Sequence, residues 1–352
     1  MIRDRRKWLL VCLLVIGLLL LGCCTVHRVG TRDDRQETKA LAQVCSRVRQ
    51  ELPPWSESTP GTLTPAQRRY VEYFELPRQG LVHRIGTVPT SRLNIAVQRF
   101  TPNRTPRGTV VLLHGYLDHS ALHSRAIRTF TNWGFTVVVY DMPGHGLSDG
   151  DPAAVDDFQI YADVLAAVIR TASADTARPL WLVAHSTGAA AVLTLLNQWR
   201  DHSPPPRLEG VVLLAPLIRS WATGPSELGH ALADPFVDRV PRVQRPVSHD
   251  PETMRMLRRN PMRVRSVPLG WFEELREWQE RVEDWAPLPA ANVTVLQGTN
   301  DTVVAWRQNL AILQRLFPNA QMHRIEGARH QLLNEDQTHR EPVYRILRDT
   351  LP

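Results

Sequence analysis

From Leu93 onward the chain alternates between two hydrophobic rhythms. Short, mostly apolar runs at Leu93–Phe100, Thr109–Leu113, Phe135–Tyr140, Leu180–Ala184, Gly210–Leu214, Val293–Gln297 and Gln321–Ile325 predict strands. Between them, apolar residues at three- and four-residue spacing predict helices at Leu122–Trp133, Phe158–Thr171, Thr187–Arg200 and Val304–Phe317, with a last one near Glu341–Asp349. Strands alternating with helices predict an α/β fold, a mostly parallel central sheet with helices on both faces. The rhythm stops between Pro216 and Pro287, a segment rich in Arg, Pro and Trp. It reads as a lid inserted over the carboxyl edge of the sheet, about 216–287, and that edge is where open α/β sheets bind ligands. Within it Trp271, Leu275, Trp278, Val282 and Trp285 recur at helical spacing. Packing of the lid on the core accounts for this stripe better than an acyl-chain lining or a membrane-facing surface.

Ahead of these elements the pattern is different. A basic run ending at Lys7 precedes an apolar run from Trp8 to Leu21, then Gly22, Cys23, Cys24 and a polar stretch. That is the layout of an export signal. The segment LLGC at 20–23 resembles a bacterial lipobox, which implies lipidation of Cys23; the other reading is an uncleaved signal anchor, since ~17 apolar residues just cross a bilayer. Either reading tethers the protein to a membrane. The positive-inside rule keeps Arg3 to Lys7 in the cytoplasm and sends the rest outside, to a bacterial periplasm or outer membrane. The expected plan is therefore 1–22 as signal peptide or anchor, 23–60 as a polar spacer, and 61–352 as a catalytic domain carrying the lid.

The net charge of +7 includes Arg3, Arg5, Arg6 and Lys7 against Asp4, so removal of 1–22 leaves only +4. Nucleic acid is not an expected partner. Of four cysteines, Cys12 lies in the signal and Cys23 in the lipobox, leaving Cys24 and Cys45 as the one pair able to form a disulfide. The catalytic region has no cysteine, which excludes thiol catalysis and a cysteine-based metal site there.

The chemistry is concentrated at strand ends. Leu180–Ala184 runs into His185, Ser186, Thr187 and Gly188, then Ala189, Ala190 and Ala191. A buried strand turning abruptly into a helix with small neighbours is the setting of a nucleophile elbow, with Ala184 where Gly is usual. Thr109–Leu113 leads into His114, Gly115 and Tyr116, where a turn can aim the Tyr116 amide at the same point as the Thr187 amide. Two backbone donors there form an oxyanion hole. A serine needs a base, and the base a partner that holds its tautomer. Asp301 follows the strand at 293–297, and His330 follows the strand at 321–325. Glu326 is a rival acid, and His323 and His339 are rival bases. The order Ser186, Asp301, His330 is that of α/β-hydrolases.

The segments HGYLDH at 114–119, DMPGHGLS at 141–148, the elbow, GTND at 298–301 and GARHQLLNE at 327–335 resemble the monoacylglycerol lipase and lysophospholipase branch of the α/β-hydrolases. The resemblance spans most of Leu93–Asp349. It implies hydrolysis of a single acyl chain from glycerol or a lysophospholipid by a serine esterase, without metal or organic cofactor. It also implies that Asp141–Ser148 is a structural loop beside the site. Aminopeptidase or acyltransferase chemistry on the same triad, and a non-catalytic lipid-binding lipoprotein, remain open; Glu273, Glu274 and Glu277 are the lid carboxylates that a free-amine subsite would use. Arg239, Arg242, Arg245, Arg255, Arg258, Arg259, Arg263 and Arg265 form either an anion-attracting or a merely solvated basic face.

Overall fold

The computed structural model describes residues 32–56, 61–172, 179–200, 208–220, 238–288 and 292–351. The chain divides between Ala40 and Leu41 into two units. Of the first, residues 32–40 are described, and they are the opening turns of helix α1 (Arg32–Glu51). The second unit carries all that follows.

The apolar runs build an eight-stranded sheet in the order β1-β2-β4-β3-β5-β6-β9-β10. Its strands are β1 (Leu81–Pro89), β2 (Asn94–Pro102), β3 (Thr109–Leu113), β4 (Thr136–Tyr140), β5 (Leu180–His185), β6 (Leu208–Leu214), β9 (Val293–Gly298) and β10 (Gln321–Ile325). The pairs of β1 with β2 and β2 with β4 are antiparallel, and from β4 to β10 every neighbour is parallel. Parallel neighbours require crossovers. These carry α3 (Ser124–Asn132), α4 (Gln159–Ala172), α5 (Thr187–Gln198) and α8 (Trp306–Leu316), and α9 (Gln337–Thr350) follows the last strand.

Side chains alternate across the central strands and fill two cores. Val111, Leu113, Val138, Leu182 and Val211 join α4 and α5 on one face. Val110, Leu112, Val137, Val183 and Val212 join α3 and α9 on the other. Burial on both faces explains why these strands read as continuous apolar runs.

Every expected strand forms, with ends within two residues of the expected ones. Three elements ahead of β2 were not foreseen. β1 is only half-buried and carries His83, Arg84 and Thr87, so it lacks an apolar run. Helix α2 (Pro65–Tyr73) is short and begins with a capping box in which the Thr64 side chain accepts from the Gln67 amide. Much of the stretch expected as a spacer is helical α1, whose Leu41, Cys45 and Val48 make a narrow buried stripe among polar residues. Cys45 is a free thiol that burial pushes up to about 12; Cys24, Cys23 and the whole of 1–22 lie outside the described residues. Among the described residues no helix is long and apolar enough to cross a membrane.

The described part of the lid contains a two-stranded ribbon of β7 (Arg239–Pro241) and β8 (Ser266–Pro268), with α6 (Pro251–Arg259) and α7 (Gly270–Glu283). The aromatic stripe of α7 packs on the core. Trp271 donates to the Tyr161 hydroxyl on α4 at 3.1 Å, Trp278 donates to Thr194 Oγ1 on α5 at 2.8 Å, and Phe158 stacks on Trp278. Each indole thereby buries its ring without orphaning its N–H.

Candidate active site

Ser186 sits between the end of β5 and the first residue of α5, at φ 52° and ψ −115°. A serine at positive φ is strained, and such strain is kept only where the surroundings over-determine it. Here they do. The Ser186 amide donates to the Leu214 carbonyl at 3.0 Å, and its own carbonyl accepts from the Ala189 and Leu217 amides. A Cβ on Gly188 would lie 2.7 Å from the His114 carbonyl oxygen and from the Leu113 Cβ. Only glycine lets α5 start this close to β3.

Asp301 and His330 occupy the loops after the neighbouring strands β9 and β10, and these loops bring them together. His330 Nδ1 and Asp301 Oδ2 are 2.8 Å apart, and both side chains are buried. Because the carboxylate accepts, Nδ1 carries the proton and Nε2 is left with its lone pair. Asp301 also accepts from the amides of Val303 and Val304 and from Gln297 Nε2. Burial opposes its ionisation, yet His330 and these donors together hold the carboxyl below its usual range. The His330 loop is tied to the elbow, since the His330 carbonyl accepts from His185 Nε2 at 3.1 Å.

Gly115 begins a turn closed by the Asp118 amide on the Gly115 carbonyl, with Leu117 at φ 64°. The turn abuts the nucleophile, because a Cβ on Gly115 would lie 3.0 Å from the Ser186 Cβ. Among the described residues neither the Tyr116 nor the Thr187 amide donates to a backbone carbonyl. Two buried histidines brace the turn. His145 Nε2 accepts from the Leu117 amide while Nδ1 faces the Pro143 carbonyl, and His114 Nε2 accepts from the Met142 amide while Nδ1 faces the Gly115 carbonyl. Burial holds both below the usual histidine range, as neutral braces. Asp141 accepts from the Ser120 and Leu147 amides, so the loop 141–148 is a scaffold for the turn.

The rivals go elsewhere. Glu326 accepts from Thr299 Oγ1, and His339 pairs with Asp336 at 2.7 Å. His323 lies within β10, in register with Leu296.

Several residues around the site were not singled out from sequence. Gln297 and Glu335 are fully buried; Glu335 accepts from the Arg329 amide beside His330 and from the amides of His249 and Asp336. A polar residue ending an apolar strand run was the available signal for Gln297. Tyr116 stacks on Trp271 of the lid at 3.7 Å between centroids, and its hydroxyl donates to the Ala153 carbonyl. The lid arginines also separate into groups. Arg239, Arg242 and Arg245 donate to the carbonyls of Pro152, Leu117 and Thr302, whereas Arg255, Arg258 and Arg265 are exposed. Two groups of His and carboxylate side chains come within metal-ligand reach among the described residues: Asp118, His123 and His185, and His249, Asp336 and His339.

Residues 104–337 match the family described as serine aminopeptidase, S33. The chain belongs to this family of α/β-hydrolases. It is therefore a hydrolase by family. The chain is 24% identical over 243 residues to a monoglyceride lipase homolog of monkeypox virus, covering 66% of this chain and 85% of that protein. It is 23% identical over 252 residues to a monoacylglycerol lipase of Mycolicibacterium smegmatis, covering 69% and 88%. Human monoglyceride lipase is 31% identical over 119 residues, 33% of this chain and 37% of that one. Among solved structures, a soluble variant of Saccharomyces cerevisiae monoglyceride lipase with a substrate analog superposes at TM-score 0.67 with 17% identity, covering 78% of this chain and 97% of that one. The Paleococcus ferrophilus monoacylglycerol lipase superposes at 0.62 with 20% identity, covering 73% and 98%. At these identities the structural likeness speaks for the fold.

Proposed function

We propose that the protein is a serine esterase that removes a single acyl chain from a lipid ester of the monoacylglycerol or lysophospholipid class, through an acyl-enzyme on Ser186. The observation that carries this reading is a strained serine at an elbow whose His185 bonds the His330 carbonyl, with His330 and Asp301 buried and held at 2.8 Å. His330 Nε2 takes the Ser186 hydroxyl proton as Oγ bonds to the ester carbonyl carbon, and the amides of Tyr116 and Thr187 hold the oxyanion. The carbon–oxygen bond to the alcohol then breaks, and His330 returns the proton to the departing oxygen. Water attacks the acyl-enzyme, with His330 taking its proton and passing it back to Ser186. No metal or organic cofactor enters these steps.

The names of the relatives support a lipid ester as substrate. The aminopeptidase reading finds less support, because Glu273 and Glu277 lie on the exposed side of α7 while Trp271, Leu275 and Trp278 take the buried side. Purified protein offered monoacylglycerols, lysophospholipids and aminoacyl amides should release fatty acid from one or both lipids. Turnover confined to the aminoacyl amides would overturn the substrate class.

We further propose a membrane tether in 1–22 or through Cys23, with the catalytic domain placed outside the cytoplasm. The basic and apolar runs of 1–22 and the sequence at 20–23 support it. Cells grown with labelled palmitate should incorporate it into wild type and not into Cys23→Ser, and wild type that takes up no label would exclude Cys23 as a lipidated tether.

A further inference from the structure

Directly behind the proposed oxyanion turn lies a buried cluster that the ester chemistry does not use. Asp118 closes the turn, His123 ends the short 3-10 helix Ser120–His123, and His185 ends β5. One ligand atom from each lies within 4.8 Å of the others, and all three residues are buried. Neither nitrogen of His123 and not Nδ1 of His185 has a hydrogen-bond partner among the described residues. A buried polar atom left without a partner is costly and calls for an occupant.

We propose that Asp118, His123 and His185 bind a divalent transition-metal ion of the Zn2+ class, which clamps the oxyanion turn to the nucleophile elbow. The tautomer of His185 is already the ligating one: Nε2–H donates to the His330 carbonyl, leaving the Nδ1 lone pair unused. A ligating imidazole commonly donates its other N–H to a carbonyl in this way. Gly115 keeps that nitrogen accessible, since a Cβ there would lie 2.9 Å from His185 Nδ1. Asp118 is oriented by Gln331, whose Nε2 donates to Oδ2 at 2.6 Å, and its other oxygen is left for the ion.

Two imidazoles and one carboxylate favour zinc or its neighbours over Mg2+ or Ca2+. Tetrahedral ligands about 2.1 Å from zinc stand about 3.4 Å apart, so atoms that lie within 4.8 Å of one another come into range with a small inward shift, with water in the fourth place. The charge of Arg242 near Asp118 works against the ion. The other cluster is less suited: His249 already pairs with Glu335, and His339 with Asp336.

The role is structural, positioning the turn and the His330 carbonyl. The test is metal binding by the full chain, stripped with chelator and reloaded with Zn2+ or Co2+. Wild type and His339→Ala should each retain about one ion per chain, give tetrahedral Co2+ absorption in the visible region, and melt at a higher temperature with Zn2+ than without. His123→Ala should lose affinity at least tenfold together with the Zn2+-dependent shift in melting. Asp118→Asn serves the same purpose if His123→Ala fails to fold. No retained ion, or binding that survives both substitutions or disappears with His339→Ala, would overturn the assignment.

Discussion

At the residue scale, the account rests on groups whose environments force them into one state. Asp301 is held ionised by His330 and by three further donors. Its folded-state value lies below the ordinary one near 3.9. The stability it contributes is therefore present above pH ~4 and fades as pH falls through the folded-state value. The stability gap between wild type and Asp301→Asn, measured by urea unfolding, should narrow steadily below pH ~4; a gap that widens there would contradict the linkage. In activity, Asp301→Asn should lower kcat by roughly 10^3–10^4, the order expected when the base loses its tautomer partner. Glu335 acts one step further out, through the Arg329 amide. Glu335→Gln should cost about 1.5–3 kcal/mol, read as a fall in the urea midpoint, because charge-assisted bonds to a buried carboxylate are lost.

At the element scale, the parallel strands and their crossover helices were legible because burial on both faces writes itself as apolar runs. The ends of β5, β9 and β10 were legible too, and with them Ser186, Asp301 and His330. What escaped was whatever depends on partners distant in the chain. β1 gains its place from pairing with β2, and its own pattern is mixed. α1 hides three buried positions among polar ones. The bracing of the turn by His145 is a matter of a buried tautomer that no spacing announces. The last helix begins ahead of the expected Glu341, because its cap is Asp336, which accepts from the His339 amide, and Pro342 lies inside it. The α7 stripe carries a prediction at this scale. Trp278→Ala removes a fully buried indole and the bond to Thr194, and should destabilise the protein by about 3–5 kcal/mol in urea unfolding. A loss under about 1 kcal/mol would mean that α7 does not pack on α5 as described.

At the scale of the whole molecule, the sheet gathers three loops, after β3, β9 and β10, around the elbow that follows β5, and the lid meets them through the stacking of Trp271 on Tyr116. The family sets the fold and the general chemistry. The central claim is narrower: Ser186 is activated by its neighbours. It is tested most directly by treating folded wild type and Ser186→Ala with a fluorophosphonate and locating the adduct by peptide mass spectrometry. The account predicts stoichiometric labelling on Ser186 in wild type and none in the variant. Folded wild type that takes up no label, or label carried by another residue, would contradict it.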